Sequence, residues 1–431
     1  MLRHCGKLTK SISRVIESLD NVPLSSLNEW RTNVVQAVSA TPKPRMTVVY
    51  GGQKFPTSFS KAIMLVGPTP RKPEVPSWRP QALKILESMG YDGVVFVPER
   101  EDATWRHNYD DQIETEERML NMADVIVCWI PRDMATMPAL TTNDEWGCWK
   151  HSGKCVFGAP QGAPSVRYQQ YYAQKLGIPS YDTLEATLAE AVLRLGVGAL
   201  RTRGECHVPL YIWQTPSFQQ WHKYLCQAGN RLNGARVEWT FRVGKDRSLV
   251  FFWALHVDVY IAREGRHKTN EVVISRPDIA TVVAYRRGKT LADTDVVLIK
   301  EFRSPVSNHR GFVYEVPGGS SFKPGGNPRQ LAADECSEET GLYIHPSRMC
   351  QHDSRQLVAT LSAHHAHLFS VELTKVEIGE LRSMAGVVHG VAEDSERTYV
   401  EVKKLGEIMQ SDSGVDWSML GMILAVVSQQ T

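Results

Sequence analysis

The strongest constraint in this chain is an alternation of two textures between residues 62 and 195. Residues 62–66, 93–98, 124–130 and 154–158 are short apolar runs of strand length. Between and after them, residues 80–89, 114–122, 142–151 and 184–195 repeat apolar side chains at helical spacing. Parallel strands need a long crossover, usually a helix, so this alternation predicts an α/β fold with a parallel sheet covered on both faces.

From about residue 205 the texture changes. Residues 236–243, 248–262, 271–275, 279–286 and 295–303 are rich in Val, Ile, Phe and Trp, a strand-forming composition. One helix is expected over 328–340, more strands after it, and a last helix over 417–427. That reads as a mixed α+β domain. Gly, Arg and Thr at 196–204 interrupt both patterns and place the boundary there. A chain of 431 residues has room for more than one core. The expected division is an N-terminal extension over 1–45, a first domain over 46–200 and a second over 201–431.

Charge is nearly balanced, with 49 Lys and Arg against 47 Asp and Glu, so no global field favours nucleic acid or membrane. The longest apolar runs, 124–131 and 248–262, are too short or too polar to span a bilayer, the second being broken by His256 and Asp258. The eight cysteines form no C-x-x-C pair and no zinc spacing, which favours reduced, mostly buried thiols. The first 16 residues hold Arg3, Lys7, Lys10 and Arg14 with several hydroxyls and no acid. Such a start suits either a mitochondrial targeting segment or an ordinary surface helix of a cytoplasmic protein.

The most informative N-terminal stretch is Ala123-Asp124-Val125-Ile126-Val127, followed by Asp144-Glu145-Trp146-Gly147 and Ser152-Gly153-Lys154, with Leu65-Val66-Gly67-Pro68 at the first strand. These elements, in this order over residues 60–195, resemble nucleoside 2-deoxyribosyltransferases and their nucleotide N-glycosidase relatives. The resemblance implies a flavodoxin-like parallel sheet. It also implies that Glu145 is the nucleophile at the anomeric carbon, and that Glu116, eight residues before Asp124, assists proton transfer. Breaking an N-glycosidic bond passes through an oxocarbenium-like state that one carboxylate captures while another group moves a proton. Gly67 and Arg71 lie in a loop at a strand's carboxyl end, where a phosphate or sugar contact is expected. Ser77, Trp78 and Arg79 are candidates to close that mouth. Alternatively, Glu145 is an acid favoured near a helix N-terminus.

In the helix expected over 328–340, Glu335, Glu338 and Glu339 stand at i, i+3 and i+4, crowding carboxylates on one face. Such a cluster is either a solvated surface or a grip for Mg²⁺ or Mn²⁺. The stretch from Val313 through Gly318-Gly319 to Glu335, Glu338, Glu339, Gly341 and Leu342 resembles the Nudix box, Gly-x5-Glu-x7-Arg-Glu-U-x-Glu-Glu-x-Gly-U, with U apolar. The resemblance implies a Nudix hydrolase domain with Glu335 and Glu339 as metal ligands, Glu338 in the catalytic group, and attack of metal-activated water on a pyrophosphate. Glu396, in the acidic stretch before the strand at 399–402, is the candidate base, an exposed acidic turn being the alternative.

This chain departs from the box at two positions. Asp334 stands where the family has Arg, Gly326 where it has its first Glu, and the loop between is a residue longer. Loss of the Arg removes a charge-assisted support of the metal site. Residues Glu301, Phe302, Arg303, Glu315, Pro317 and Gly318 resemble the ADP-ribose pyrophosphatase branch. Arg303, Glu315 and Gly319 are therefore candidate substrate contacts, though Arg303 is equally suited to a structural ion pair with Glu315. His364, His365 and His367 have no carboxylate at metal spacing in sequence and read as structural or substrate-edge residues.

The leading expectation is a two-domain enzyme in which one domain acts on an N-glycosidic bond and the other hydrolyses a nucleoside diphosphate-linked substrate resembling ADP-ribose. The partner would be that small molecule, with no membrane, in a homo-oligomer or as a complex subunit. One alternative is a mitochondrial pyrophosphohydrolase of RNA 5′ ends, or an RNA-binding factor, with bases stacked on exposed members of Trp213, Trp221, Trp239 and Trp253. Another is a catalytically weakened nucleotide-binding protein.

Overall fold

A computed structural model describes residues 45–72, 74–102, 109–244, 249–320, 326–390 and 397–428. The possible targeting segment and Glu396 lie outside the described residues.

The first half contains β1 (Thr47–Tyr50), β2 (Ser58–Phe59), β3 (Ala62–Val66), β4 (Val94–Val97), β5 (Val125–Trp129), β6 (Cys155–Gly158) and β7 (Ser180–Tyr181). Its helices are α1 (Arg79–Ser88), α2 (Tyr109–Met122), α3 (Leu140–Trp149), α4 (Arg167–Leu176) and α5 (Leu184–Leu195). The sheet runs β1-β4-β3-β5-β6-β7 with every neighbouring pair parallel. Strand alternation divides the side chains into two cores. Met64, Phe96, Ile126 and Phe157 pack against Met119 of α2, Trp146 of α3 and Ala173 of α4. Ile63, Leu65, Val95, Val127 and Val156 pack against Leu86 of α1 and Leu188 of α5. The region is thus the expected parallel α/β fold, with helices on both faces.

Besides the two-residue strands β2 and β7, β1 and α4 were not read from the sequence. The edge strand β1 is short and only partly buried, and α4 buries Gln169 and Ala173 while Tyr168 and Tyr171 stay exposed, so its burial does not follow its apolar residues. Lys154, from the Ser-Gly-Lys motif, is fully buried and donates to the carbonyls of Leu120 and Asn121, at 3.1 and 2.8 Å, tying down the end of α2. Burial pushes its pKa down to about 7.

No packing break occurs at residue 200. Asp124, at the start of β5, is buried and its carboxylate accepts hydrogen bonds from the Ala62 and Leu210 backbone N–H groups, both at 2.9 Å. It also receives two guanidinium nitrogens of Arg201, at 2.7 and 2.6 Å. Arg201 belongs to β8 (Arg201–Thr202), which pairs with β2. Cys206 and Leu210 are buried in the two cores of the first sheet.

Two short helices, α6 (Leu210–Trp213) and α7 (Pro216–Gln227), lead into an antiparallel sheet of β9 (Arg231–Val243), β10 (Leu249–Ile261) and β11 (Arg266–Ser275). Its inner face joins Trp253, Leu255 and Val257 to Phe218 of α7. Polar ends of β9 and β11 extend these strands beyond the apolar stretches that marked them in the sequence.

The rest is a nine-stranded mixed sheet. In chain order its strands and helices are β12 (Ile279–Arg286), β13 (Asp295–Phe302), β14 (Phe312–Glu315), β15 (Gly318–Ser320), α8 (Pro328–Thr340), β16 (Cys350–Gln351), β17 (Arg355–Gln356), β18 (His365–Glu372), α9 (Lys375–Ser383), β19 (Val388–His389), β20 (Thr398–Lys404), α10 (Leu405–Ile408) and α11 (Trp417–Val427). The pair β12–β18 is parallel, whereas β13 runs antiparallel to β12, β14 and β20. Ala332, Ala333 and Cys336 of α8 and Ile378 of α9 cover one face, and Ile423 and Val426 of α11 the other. Among the described residues no helix is long and apolar enough to cross a membrane.

Candidate active site

In an open parallel sheet, ligands bind beyond the carboxyl ends of the strands, where the strand order reverses. Here β3 lies between β4 and β5, and the loops after these strands enclose a cavity of about 670 Å³. Gly67, Thr69, Arg71 and Lys72 come from the loop after β3, Glu99 and Arg100 from the loop after β4. Tyr109, Gln112 and Glu116 come from one face of α2, and Thr142 and Glu145 from α3. Gly67, Arg71, Glu116 and Glu145, singled out in the sequence, therefore meet in one cavity.

The glycine is required there, because a Cβ at position 67 would collide with the Trp129 carbonyl and the Trp78 ring. Trp78 and Arg79 do not close the mouth as expected; both are buried beneath the loop. Trp78 Nε1 donates to the Pro68 carbonyl at 3.2 Å. Arg79 donates to the carbonyls of Leu65 and Gly67, to Thr69 Oγ1, and to Glu99 Oε1 at 2.6 Å. Ser77 Oγ also donates to Glu99. Glu99 was not anticipated as a wall residue, because its role arises from a contact with Arg79, 20 residues away, that no motif marks.

Helix α3 is locked on its far side. Trp146 packs on Phe157 with ring centroids 5.4 Å apart, and Asn143 Oδ1 accepts from Arg132 and Gln169. This turns Glu145 toward the cavity. The helix starts from Ala139, whose φ of 58° and ψ of 43° lie in the left-handed region, with no side chain capping the first turn. Burial, then the charge of Glu116, pushes the Glu145 carboxyl up to about 8, against the opposing pull of Arg79. On α2, Glu116 Oε1 accepts from Gln112 Nε2 at 2.8 Å.

The C-terminal candidates lie on the other sheet and are arranged differently from the sequence expectation. The three glutamates do not share one environment: Glu339 is buried, Glu335 half-buried and Glu338 exposed. The Glu339 carboxylate accepts from the Gly318 N–H at 2.9 Å, and a Cβ on Gly319 would strike the Glu335 carboxylate. Asp334 accepts from Gln330. Arg303 pairs with Glu301 at 2.8 Å and with Glu315 at 3.4 Å, the ion-pair alternative of the two sequence readings. Among the described residues no group of three or more His, Cys, Asp or Glu side chains is arranged to hold a metal ion.

The histidine cluster does have a carboxylate beside it, brought from a distant part of the sequence. His367 Nε2 lies 3.2 Å from Asp278, His365 Nδ1 meets Gln220, and His364 Nδ1 meets Ser362. These contacts tie β18 to α7 and the start of β12, a structural role. Among the described cysteines Cys128, Cys155, Cys206 and Cys336 are buried, Cys148, Cys226 and Cys350 are exposed, and all seven are unbridged.

The fold and cavity define a doubly wound α/β domain with paired carboxylates at its topological switch point. Residues 60–163 match the family described as nucleoside 2-deoxyribosyltransferase like, so the chain contains a nucleoside 2-deoxyribosyltransferase-like domain. The match does not extend into the C-terminal half. No curated protein matches the chain.

Proposed function

We propose that the N-terminal domain cleaves or exchanges the N-glycosidic bond of a nucleoside or nucleotide. The observation that carries this reading is the pair Glu145 and Glu116 in one cavity, with Glu145 raised to about 8 by burial and by its neighbour's charge. Two carboxyl groups so placed hold a proton between them at neutral pH rather than both ionising. That proton goes to the leaving base as the bond between the anomeric carbon and nitrogen breaks, its electron pair departing with the base. The carboxylate left at Glu145 captures the anomeric carbon as an ester. Water then attacks the same carbon in hydrolysis, or a second base in transfer; the ester C–O bond breaks with its electron pair returning to the Glu145 carboxylate, and the nucleophile's proton goes back to the carboxyl pair. Arg79 and Glu99 hold the loop carrying Gly67, Thr69 and Arg71 over the site.

The test is to incubate the purified chain with deoxynucleosides, deoxynucleoside monophosphates and NAD, and to measure released base by chromatography. Turnover lost in Glu145→Ala supports the reading. Absence of free base from every substrate, or turnover unchanged in that variant, removes it.

A second reading assigns a Nudix-type pyrophosphohydrolase to the C-terminal half, with a nucleoside diphosphate-linked substrate resembling ADP-ribose. What favours it is the packing of Gly318 and Gly319 against Glu339 and Glu335 of α8, which joins the loop to the helix the motif requires. Release of AMP from ADP-ribose with Mg²⁺, lost in Glu339→Gln, would support this reading. No release would leave a nucleotide-binding role for the half, to be scored by calorimetry with ADP-ribose.

A further inference from the structure

The antiparallel sheet of β9, β10 and β11 has one covered and one open face. Its inner face carries Trp253, fully buried against Phe218, with Trp213 and Trp221 packed around them. Three of the four tryptophans considered as stacking residues are therefore taken by the core. The outer face carries the fourth. Trp239 is 54% exposed and Phe241, two residues along the same strand, 46%.

These rings are ordered rather than scattered. Trp239 and Phe241 lie 5.9 Å apart at an interplanar angle of 23°, and Phe252, opposite Phe241 in the register, stands 6.4 Å from Trp239 at 30°. The Arg276 guanidinium sits 4.8 Å from the Phe251 ring centroid and 5.5 Å from that of Phe252. Its Nη2 donates to Ser320 Oγ, while its Nε, though buried, has no hydrogen-bond partner among the described residues. The surrounding sequence is basic. In sequence, residues 231–276 hold nine Lys and Arg against five Asp and Glu; among the described ones, Arg236, Arg266 and Lys268 pair with Glu238, Glu264 and Glu271.

We propose that this face binds single-stranded nucleic acid, with bases stacked on Trp239 and Phe241 and a backbone phosphate drawn to Arg276. Flat aromatic faces beside cations are the two features sequence-tolerant single-strand binding needs, since every base offers a π-face and every nucleotide a negative charge. Two copies of this chain meeting here would bring like charge against like charge, which disfavours a self-association surface. The site is separate from the cavity of the N-terminal domain, so its test does not depend on glycosidic activity.

The full chain is titrated into fluorescently labelled oligothymidylate and oligouridylate of about 20 nucleotides, read by anisotropy at several salt concentrations. Binding should weaken at least about tenfold in the double variant Trp239→Ala/Phe241→Ala and persist in Trp239→Phe. Arg276→Ala should reduce the slope of log affinity against log salt by about one. Urea unfolding of each variant separates loss of binding from loss of fold. The proposal is overturned if neither oligomer binds at about 50 mM salt, or if the folded double variant binds as well as the parent. It is equally overturned if sedimentation shows a dimer that the double variant dissociates, because a second copy then occupies the face.

Discussion

The Arg79 guanidinium lies 2.6 Å from the Glu99 carboxylate beneath the cavity, with Arg79 only 2% exposed. The same side chain holds the carbonyls of Leu65 and Gly67, so it braces the loop after β3 from below. Removing one partner of a buried pair leaves the other charge poorly compensated, which typically costs about 3–5 kcal/mol. Arg79→Met is therefore expected to lose stability on that scale in urea unfolding. A loss under about 1 kcal/mol, the range of a surface pair, would show that the brace is dispensable.

The cavity carboxylates make a prediction for pH. Proton donation to a leaving base needs the proton that Glu145 holds up to about 8, so kcat/KM should fall as pH rises through that value. The Glu116 charge helps to set it, so in Glu116→Gln the alkaline limb should move to lower pH, whatever the remaining rate. A limb that stays in place would detach Glu145 from the profile.

Stability should carry the same signature. The Glu145 carboxyl titrates near 4.5 when unconstrained and near 8 in the folded chain. Between those values the folded state binds the extra proton, so this group's contribution is complete below about 4.5 and is lost as pH rises through about 8. Glu145→Gln cannot ionise and lacks that loss. Measured by urea unfolding from pH 5 to about 9, the variant should gain on the parent steadily as pH rises. Parallel curves would contradict the raised pKa.

Ala139 tests the backbone. A non-glycine residue at φ 58° pays for its Cβ, a cost of about 1–2 kcal/mol, partly offset by the greater freedom of glycine when unfolded. Ala139→Gly should thus raise the melting temperature slightly, and Ala139→Val should lower it. The opposite order would mean that the surroundings favour the alanine side chain more than the dihedral disfavours it.

Much of the N-terminal architecture could be read from the residues alone, because strands buried on both faces are apolar throughout and the helices between them keep a single period. The span of α5 was read without error, as was that of α8 in the second half. The cavity residues singled out in the sequence come together in the structure, Gly67 and Arg71 from the loop after β3 and Glu116 and Glu145 from the middle of α2 and α3. What escaped were long-range pairings with no period of their own: Arg79 on Glu99, Asp278 on His367, and Arg201 on Asp124. The α8 glutamates show the limit of spacing arguments. Positions i, i+3 and i+4 share a sector of the helix, yet the packing of its sheet-facing side buries Glu339 and leaves Glu338 in water.

The contacts that Leu210 and Arg201 make with Asp124 bear on how such a chain can be recombined. The composition of the sequence invites a cut near residue 200, yet a fragment ending there would leave an ionised side chain enclosed in apolar surroundings without its counter-ion. The two halves are therefore not interchangeable cassettes. Any graft of the first half onto another protein, natural or engineered, has to carry the segment through Leu210 with it.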